Sequence, residues 1–283
     1  MELPHPLLKP VPDLWKAPIE SWELQLRASG YTARTIETRL RHIRRIARGL
    51  RVPDPRAVSS DQLLTWCGTQ QWMAETRHAH YTSLRLFFKH LYGDDDNPAK
   101  ILPTVRRTGG IPHPTPEDVL IQALNTADDR TELILLLAGQ CGLRAFEIAK
   151  VHRNDLTYDL LGMCLTVRGK GGKERSIPVE DLWLGNRILA VSSTNGGFLF
   201  PGSIDGHLSP RWVSVVASQV LPSPWTLHTL RHRFATRSFS NGGKDIIAVQ
   251  EMLGHASLAT TRRYTMTDDE AHRTAVRGAL VQV

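Results

Sequence analysis

Apolar residues recur at helical spacing along the first third of the chain. In TARTIETRLRHIRRIARGL they follow one another at intervals of four, three and four, which places them in one stripe of an α-helix. Their positions are Ile36, Leu40, Ile43 and Ala47. Thr32 precedes the stripe and is a suitable N-cap. The same pattern predicts a second helix near Ala74–Tyr92, whose apolar face is formed by Leu84, Phe87, Phe88 and Leu91.

The pattern also predicts how the chain divides. Prolines crowd residues 1–17, which are expected to form a loose tail. Residues 18–98 are expected to form an all-helical domain. Residues 99–113 carry prolines and glycines between two patterned regions and are expected to be a linker. Residues 114–283 then form a second domain.

The second domain mixes helical and strand patterns. Thr115 is expected to cap its first helix, with Pro116 as the first helical residue. The segment TELILLLAGQCGL is apolar nearly all round and predicts a buried helix, whereas MCLTVRGKGGKERSIPV predicts two short strands around a glycine-bearing turn. Helical pattern resumes where Ser209 and Pro210 provide a cap and a first turn. The fold class expected is mainly α, with an α+β second domain that carries a small antiparallel sheet.

Charge is unevenly distributed along the 283 residues, whose formal net charge is +7. Residues 1–110 hold 17 lysines and arginines against 11 acids, while residues 111–283 hold 18 against 17. The first third therefore predicts a docking surface for a polyanion. A solvated charged face is the ordinary explanation of such residues, but four arginines without an acid along one helix face favour contacts with DNA phosphates. The candidates are Arg34, Arg41, Arg45 and Arg48, and on the second helix Thr82, Arg85 and Lys89.

Three scattered cysteines, Cys67, Cys141 and Cys164, form no CxxC pair. They suggest neither a disulfide framework nor a zinc site. The chain shows no signal-peptide pattern and no apolar run approaching 18 residues. A cytoplasmic protein in a reducing compartment is therefore expected.

Several polar residues of the second domain are candidates for chemistry. Arg144 follows the buried helix with Glu147 three residues on, a spacing that is also common in surface ion pairs. Lys170 lies in the predicted turn between strands, where most lysines are simply solvated. It does not belong to a Walker phosphate-binding loop, because that motif is not matched. Each of these signals is weak alone.

Two further segments carry histidines. His228, Arg231 and His232 lie within little more than one helical turn. Two histidines four residues apart can bind a metal, but the neighbouring arginines would repel a cation, so no metal site is expected. In LGHASLATTRRYT, His255 is followed nine residues later by Tyr264.

Taken together, these residue types fit the cleavage of a phosphodiester without a metal or any other cofactor. Arginines can hold the non-bridging oxygens bidentately and stabilise the charge of a pentavalent transition state. A base and an acid can serve the attacking and leaving oxygens, and a tyrosine can be a covalent nucleophile.

The order Arg144, Lys170, His228, Arg231, His255 and Tyr264 resembles the tyrosine recombinase (phage integrase) family. The segments that carry the resemblance are GLRAFEIAKV, VRGKGGKERSIPV, LHTLRHRFATR and LGHASLATTRRYT. The N-terminal helices resemble, more loosely, the family's SAM-like core-binding domain. The short segment before the first helix leaves no room for an arm-binding domain, so a minimal two-domain form is expected.

The resemblance implies a role for each residue. Tyr264 attacks a DNA phosphate and forms a 3′-phosphotyrosyl bond. Arg144 and Arg231, helped by His255, hold the phosphate, while Glu147 braces the arginine. Lys170 protonates the leaving 5′-oxygen, and His228 assists proton transfer from the tyrosine.

The resemblance also implies the partners and leaves alternatives open. Family members act as homotetramers on paired double-stranded attachment sites through a Holliday junction, in some cases with an accessory directionality factor. In a bacterial host cell such a protein is associated with the nucleoid. A phage or mobile-element integrase is favoured over a Xer-type resolvase of chromosome or plasmid dimers. A catalytically inactive DNA-binding regulator and a type IB topoisomerase are the remaining alternatives.

Overall fold

The computed structural model describes residues 10–106, 112–169, 172–190 and 196–254. The chain divides into two units, Met1–Gly110 and Ile111–Val283. The α-helices described in the first unit are α1 (Asp13–Ala28), α2 (Ala33–Leu50), α3 (Ser60–Gly68) and α4 (Ala74–Tyr92). Short 3₁₀ turns at Pro55–Ala57 and Pro98–Ile101 follow α2 and α4.

Helices α2 and α4 form where the apolar pattern predicted them. The Thr32 side chain accepts a hydrogen bond from the Thr35 backbone N–H, which confirms the predicted N-cap. All four residues of the α2 stripe are buried, as are Leu84, Phe87 and Phe88 of α4. These side chains form the core of the first unit together with Trp15 and Trp22 of α1.

The structure differs from the predicted N-terminal tail, because α1 begins at Asp13 and not after residue 17. Pro12 occupies the N-cap position, outside the helix, where a proline breaks no helical hydrogen bond. Trp15 is fully buried, and its indole N–H donates to the Val52 carbonyl at 2.8 Å. Burial of this ring stabilises the helix, although Pro18 lies inside it. The many prolines of this segment had led to the prediction of a loose tail.

The structure also differs from the predicted start of the linker. Residues 99–101 belong to a 3₁₀ turn, and Ala99 and Leu102 are buried in the core of the first unit. Asn97 caps this turn by accepting from the Ala99 backbone N–H. The packed part of the first unit therefore continues beyond residue 98.

The second unit surrounds one small sheet with helices. Strands β1 (Leu156–Tyr158), β2 (Met163–Arg168) and β3 (Glu174–Pro178) are antiparallel in that order, with Arg168 of β2 opposite Glu174 of β3. The mainly α fold class with a small antiparallel sheet is confirmed, and β1 is a strand that the sequence pattern had not predicted. The elements are α5 (Glu117–Thr126), α6 (Asp129–Gly139), α7 (Ala145–Ile148), a 3₁₀ turn (Arg153–Asp155), β1 (Leu156–Tyr158), β2 (Met163–Arg168), β3 (Glu174–Pro178), α8 (Leu182–Leu189), β4 (Pro201–Ile204), α9 (Pro210–Val220), α10 (Leu227–Asn241) and α11 (Ile246–Leu253).

Of the two predicted caps in this unit, one is confirmed and one is wrong. Ser209 accepts from the Trp212 backbone N–H, and Pro210 opens α9. Thr115 does not cap α5, because the helix begins at Glu117 with Pro116 in the N-cap position. The Thr115 hydroxyl and backbone N–H bond instead to Thr229 of α10. The Thr115 hydroxyl therefore makes a tertiary hydrogen bond and does not cap the helix.

Three helices converge where the polar candidates lie. Helix α6 is buried along most of its length, as its apolar sequence predicted, and α10 packs against it. Phe234 and Phe239 of α10 form a smaller apolar cluster with Val249 and Leu253 of α11. This packing holds the C-terminal end of α11 close to the segment that follows α6. No helix in the described parts of the chain is both long and apolar enough to cross a membrane.

Candidate active site

Arg144 lies at a bend between α6 and α7. Gly142 takes a positive φ of 63° at this bend, and a Cβ there would overlap the Phe234 ring, so only glycine fits. Arg144 occupies the N-cap position of α7, with its side chain about one-third exposed. The bend therefore brings a guanidinium group to the surface directly beside a buried helix.

Glu147 is the buried centre of the site. Its carboxylate accepts from the Arg144 backbone N–H at 2.8 Å and from Arg144 Nη1 at 3.0 Å. Arg175 of β3 donates to both carboxylate oxygens, from Nη1 at 2.9 Å and from Nη2 at 2.8 Å. Burial alone would raise the pKa of Glu147, but the hydrogen bonds from Arg175 and the Arg144 backbone outweigh it and hold that pKa below its usual value. The carboxylate is therefore charged at neutral pH.

Arg231 of α10 joins the bend to the end of α11. It is 3% exposed, its Nη1 donates to the Gly142 carbonyl, and its Nη2 donates to the Leu253 carbonyl at 2.5 Å. Nη1 also lies 3.8 Å from Glu147 Oε2. Three arginines thus surround one carboxylate, which leaves two positive charges in excess. Such an excess beside a partly exposed side chain favours an anionic ligand.

His228 lies one turn before Arg231 on the same face of α10. Its ring is edge-on to that of His232, with centroids 4.4 Å apart. Although the side chain reaches solvent, packing removes part of its hydration, and this lowers its pKa, with Arg231 and Arg144 lowering it further. His228 is therefore neutral at pH 7 and able to accept a proton. Among the described residues, no three histidine, cysteine or acidic side chains lie close enough together to hold a metal ion.

Lys170, His255 and Tyr264 lie outside the described residues. The paired strands on either side of Lys170 in the sequence, β2 and β3, are described. Arg168 Nε donates to Glu174 at 2.9 Å, and the Gly169 N–H donates to the Lys173 carbonyl at 2.7 Å. His255 follows Gly254, which ends α11 in the left-handed conformation with φ of 60°.

The candidate DNA contacts of the first unit lie on two helices. On α2, Arg34, Arg41 and Arg45 are exposed and Arg48 is half-buried. On α4, the three side chains bond within the protein. Thr82 donates to the His78 carbonyl at 2.9 Å, Arg85 donates to the Leu102 carbonyl at 2.5 Å, and Lys89 pairs with Asp94 at 2.6 Å. The α2 arginines are thus the more accessible of the two groups.

Arg175 is the residue of this site that sequence reasoning missed. A signal for it existed in the KERSIPV segment. Arg175 and Ile177 are two positions apart in a strand and so share a face, and the apolar Ile177 is expected to point inward. A charged residue on an inward face requires a buried partner.

Comparison with known proteins places the chain in a family. The model of the phage integrase family matches residues 115–271. The tyrosine recombinase XerC of Methylobacterium sp. strain 4-46 is 33% identical over 222 residues, which cover 70% of this chain and 68% of that protein. The tyrosine recombinase XerC of Nitrobacter winogradskyi is 38% identical over 151 residues, which cover 50% of this chain but only 47% of that protein. The chain thus spans about half to two-thirds of the length of these relatives.

Solved structures agree on the fold. A lambda integrase dimer bound to a COC′ core site matches with a TM-score of 0.71 at 17% identity, over 88% of this chain and 94% of that one. XerH site-specific recombinase bound to a difH substrate, in a pre-cleavage complex, matches with a TM-score of 0.66 at 17% identity, over 97% and 91%. The family match covers more than half of the chain and includes every candidate catalytic residue, and the chain therefore belongs to the phage integrase family of tyrosine recombinases.

Proposed function

We propose that this protein is a site-specific DNA recombinase of a phage or mobile element. It cuts and rejoins DNA through a 3′-phosphotyrosyl intermediate and a Holliday junction. The observation that supports this proposal most is the group of three arginines around the buried Glu147 carboxylate, with a neutral His228 beside them. Fixed guanidinium groups with a net positive charge suit a phosphate whose charge grows in the transition state.

In the proposed reaction, the Tyr264 oxygen attacks the scissile phosphorus while its proton passes to His228. A new P–O bond forms to the tyrosine, and the bond from phosphorus to the 5′-oxygen breaks. Lys170 gives that oxygen a proton, and Arg144, Arg231 and His255 hold the non-bridging oxygens. One phosphodiester is exchanged for another, so the reaction needs no cofactor and no energy input. Attack by a 5′-hydroxyl from the partner duplex reverses the step and joins the exchanged strand.

The role of His228 predicts how cleavage depends on pH. Because the pKa of His228 is lowered, the neutral form that accepts a proton persists below pH 6.5 and is lost only on further acidification. We expect single-turnover cleavage to fall towards acid pH with a midpoint below 6.5. A His228→Gln variant should cleave more slowly, and its cleavage rate should no longer show this fall towards acid pH. An unchanged profile in the variant would contradict the assignment.

A second prediction concerns metals. In the proposed site, arginines supply the positive charge that a divalent cation supplies in metal-dependent phosphoryl transfer. We expect cleavage to proceed at an unchanged rate after dialysis against EDTA. Loss of cleavage in EDTA, with recovery on adding magnesium, would overturn the proposed mechanism.

A Xer-type resolvase of chromosome or plasmid dimers is the second candidate function. The observation in its favour is that the curated relatives described above are XerC recombinases. The two functions share their chemistry and differ in their sites: an integrase joins two different attachment sites, whereas a resolvase acts on two copies of one site.

The partners proposed are double-stranded DNA attachment sites and three further copies of this chain. The comparison structures include a lambda integrase tetramer bound to a Holliday junction. An accessory directionality factor is a further proposed partner of the integrase. The location proposed is the cytoplasm of a bacterial host cell, in association with the nucleoid.

Supercoiled plasmids test these functions together. Candidate sites are taken from direct repeats in the DNA that flanks the gene, and plasmids carry two different sites, two copies of one site, or none. Recombination between different sites supports the integrase, and recombination only between copies supports the resolvase. Relaxation of a plasmid without sites would indicate a topoisomerase, and binding without cleavage would indicate an inactive regulator.

A further inference from the structure

Arg175 links two parts of the candidate active site that are distant in sequence. Its Nη atoms donate to both oxygens of Glu147, 28 positions earlier in the chain. Its Nε donates to the carbonyl of Met252, 77 positions later, at 2.7 Å. One side chain in the sheet therefore joins the carboxylate that holds Arg144 to the last turn of α11.

The burial of these groups makes the link stiff. The Arg175 side chain is 9% exposed and the Glu147 side chain is fully buried. A planar guanidinium that makes two parallel hydrogen bonds to a carboxylate has one preferred geometry, which a lysine cannot reproduce. Water has little access to compete for these hydrogen bonds.

The end of α11 is shaped to receive this side chain. Gly254 has φ of 60°, and a Cβ built on it would lie 3.2 Å from Arg175 Cδ. Arg231 holds the neighbouring carbonyl, that of Leu253, at 2.5 Å. Two arginines thus bind consecutive carbonyls of α11, immediately before the sequence that carries His255 and Tyr264.

Arg175 also determines how many hydrogen-bond donors of Arg144 remain available to a ligand. Because Arg175 satisfies both Glu147 oxygens, Arg144 contributes only its backbone N–H and Nη1 to the carboxylate. Within the described parts of the chain, Arg144 Nε and Nη2 meet no acceptor. These two donors lie on the side chain that is one-third exposed, where an anion can reach them.

We propose that Arg175 is a positioning residue of the recombination reaction, which fixes Arg144 through Glu147 and fixes the end of α11 through Met252. It does not touch the DNA. It sets the distance between Arg144 and the end of α11, after which the sequence continues to His255 and Tyr264. This inference rests on the proposed function of Arg144 and Tyr264.

The chain offers a matched control in Arg233. This arginine of α10 is also largely buried, at 13% side-chain exposure. It donates to the Glu117 carboxylate at 2.5 Å and to the Gly139 carbonyl at 3.2 Å. Its partners are also a carboxylate and a helix carbonyl, but they belong to α5 and α6 and not to α11, and the Glu117 side chain is 46% exposed.

The test compares Arg175→Lys with Arg233→Lys in the full chain. Melting temperature measures folding, gel shift measures affinity for one core site, and a nicked suicide substrate measures single-turnover formation of the covalent complex. We expect both variants to fold and to bind DNA, with the larger fall in melting temperature in Arg175→Lys, because Glu147 is fully buried and Glu117 is 46% exposed. Only Arg175→Lys should lose cleavage, on the order of a hundredfold, as expected when reacting groups are displaced by about 1 Å.

Two further readouts separate positioning from general instability. Without the Arg175 side chain, only Arg144 offsets the effect of burial on the pKa of Glu147, so that pKa rises and we expect Arg175→Gln to need a higher pH than the wild type for its maximal cleavage rate. Hydrogen exchange should quicken in the last turn of α11 in Arg175→Lys and remain unchanged there in Arg233→Lys.

Loss of cleavage in both lysine variants, in proportion to the loss of stability of each, would overturn the positioning role. Full cleavage by a folded Arg175→Lys variant would overturn it as well. The wild type and Tyr264→Phe are assayed in parallel, because a wild type that forms no covalent complex through Tyr264 refutes the proposed function itself. Once the wild type forms that complex, a difference between the two lysine variants reports on Arg175 alone.

Discussion

Replacing Tyr264 by phenylalanine is expected to abolish the covalent protein–DNA complex and to leave affinity for core-site DNA nearly unchanged. The substitution removes the hydroxyl that would attack the phosphorus, so no phosphotyrosyl bond can form. It removes no charge, and affinity for DNA depends mainly on contacts between cationic side chains and phosphates. A suicide substrate labelled at the 5′ end of the cleaved strand, which keeps the 3′-phosphotyrosyl bond, and analysed on a denaturing gel detects the linked protein.

Tyr158→Phe is the matched control for this experiment. Tyr158 lies in β1 of the same unit and is 67% exposed, so its loss should change neither folding nor cleavage. Gel shift with intact core DNA should give similar affinities for both variants and the wild type. A covalent complex that persists in Tyr264→Phe would show that another residue is the nucleophile.

The second large effect is expected from replacing Arg144 or Arg231 by lysine. A single ammonium cannot reproduce a bidentate guanidinium, and removal of one preorganised donor to a transition state costs on the order of a hundredfold in rate or more. We therefore expect both variants to form the covalent complex at about a hundredth of the wild-type rate, measured in single turnover. Near-normal cleavage by either variant would show that its arginine is structural or remote from the phosphate.

The two lysine variants should differ in stability. Arg231→Lys leaves the buried carbonyls of Gly142 and Leu253 without their donors, which we expect to lower the free energy of unfolding by about 3 kcal/mol. Arg144 is more exposed, and its lysine variant should lose much less, as urea denaturation can measure. Arg187→Lys is the control, since Arg187 pairs with an exposed Asp129 on the surface of the same unit.

The local signals in the sequence predicted two of the four α-helices described in the first unit, α2 and α4. The α2 stripe and the Thr32 cap depend on residues within one helix, so spacing alone was sufficient. The start of α1, near Trp15, could not be predicted in this way. The helix is stabilised by burial of the Trp15 ring and by a bond to Val52, 37 positions away, and no local pattern contains that information.

The sequence alone determined the fold class, the family and the order of the candidate catalytic residues, because helical periodicity and short motifs are properties of neighbouring positions. Only the tertiary structure decided which of these groups meet. It placed Arg231 against Gly142, 89 positions away, and it showed that Arg175, rather than Arg144 alone, satisfies Glu147. The physical reason is that a buried carboxylate needs several hydrogen-bond donors to be stable. The packing of α10, α11 and the sheet determines which donors lie near it, and spacing along the chain does not.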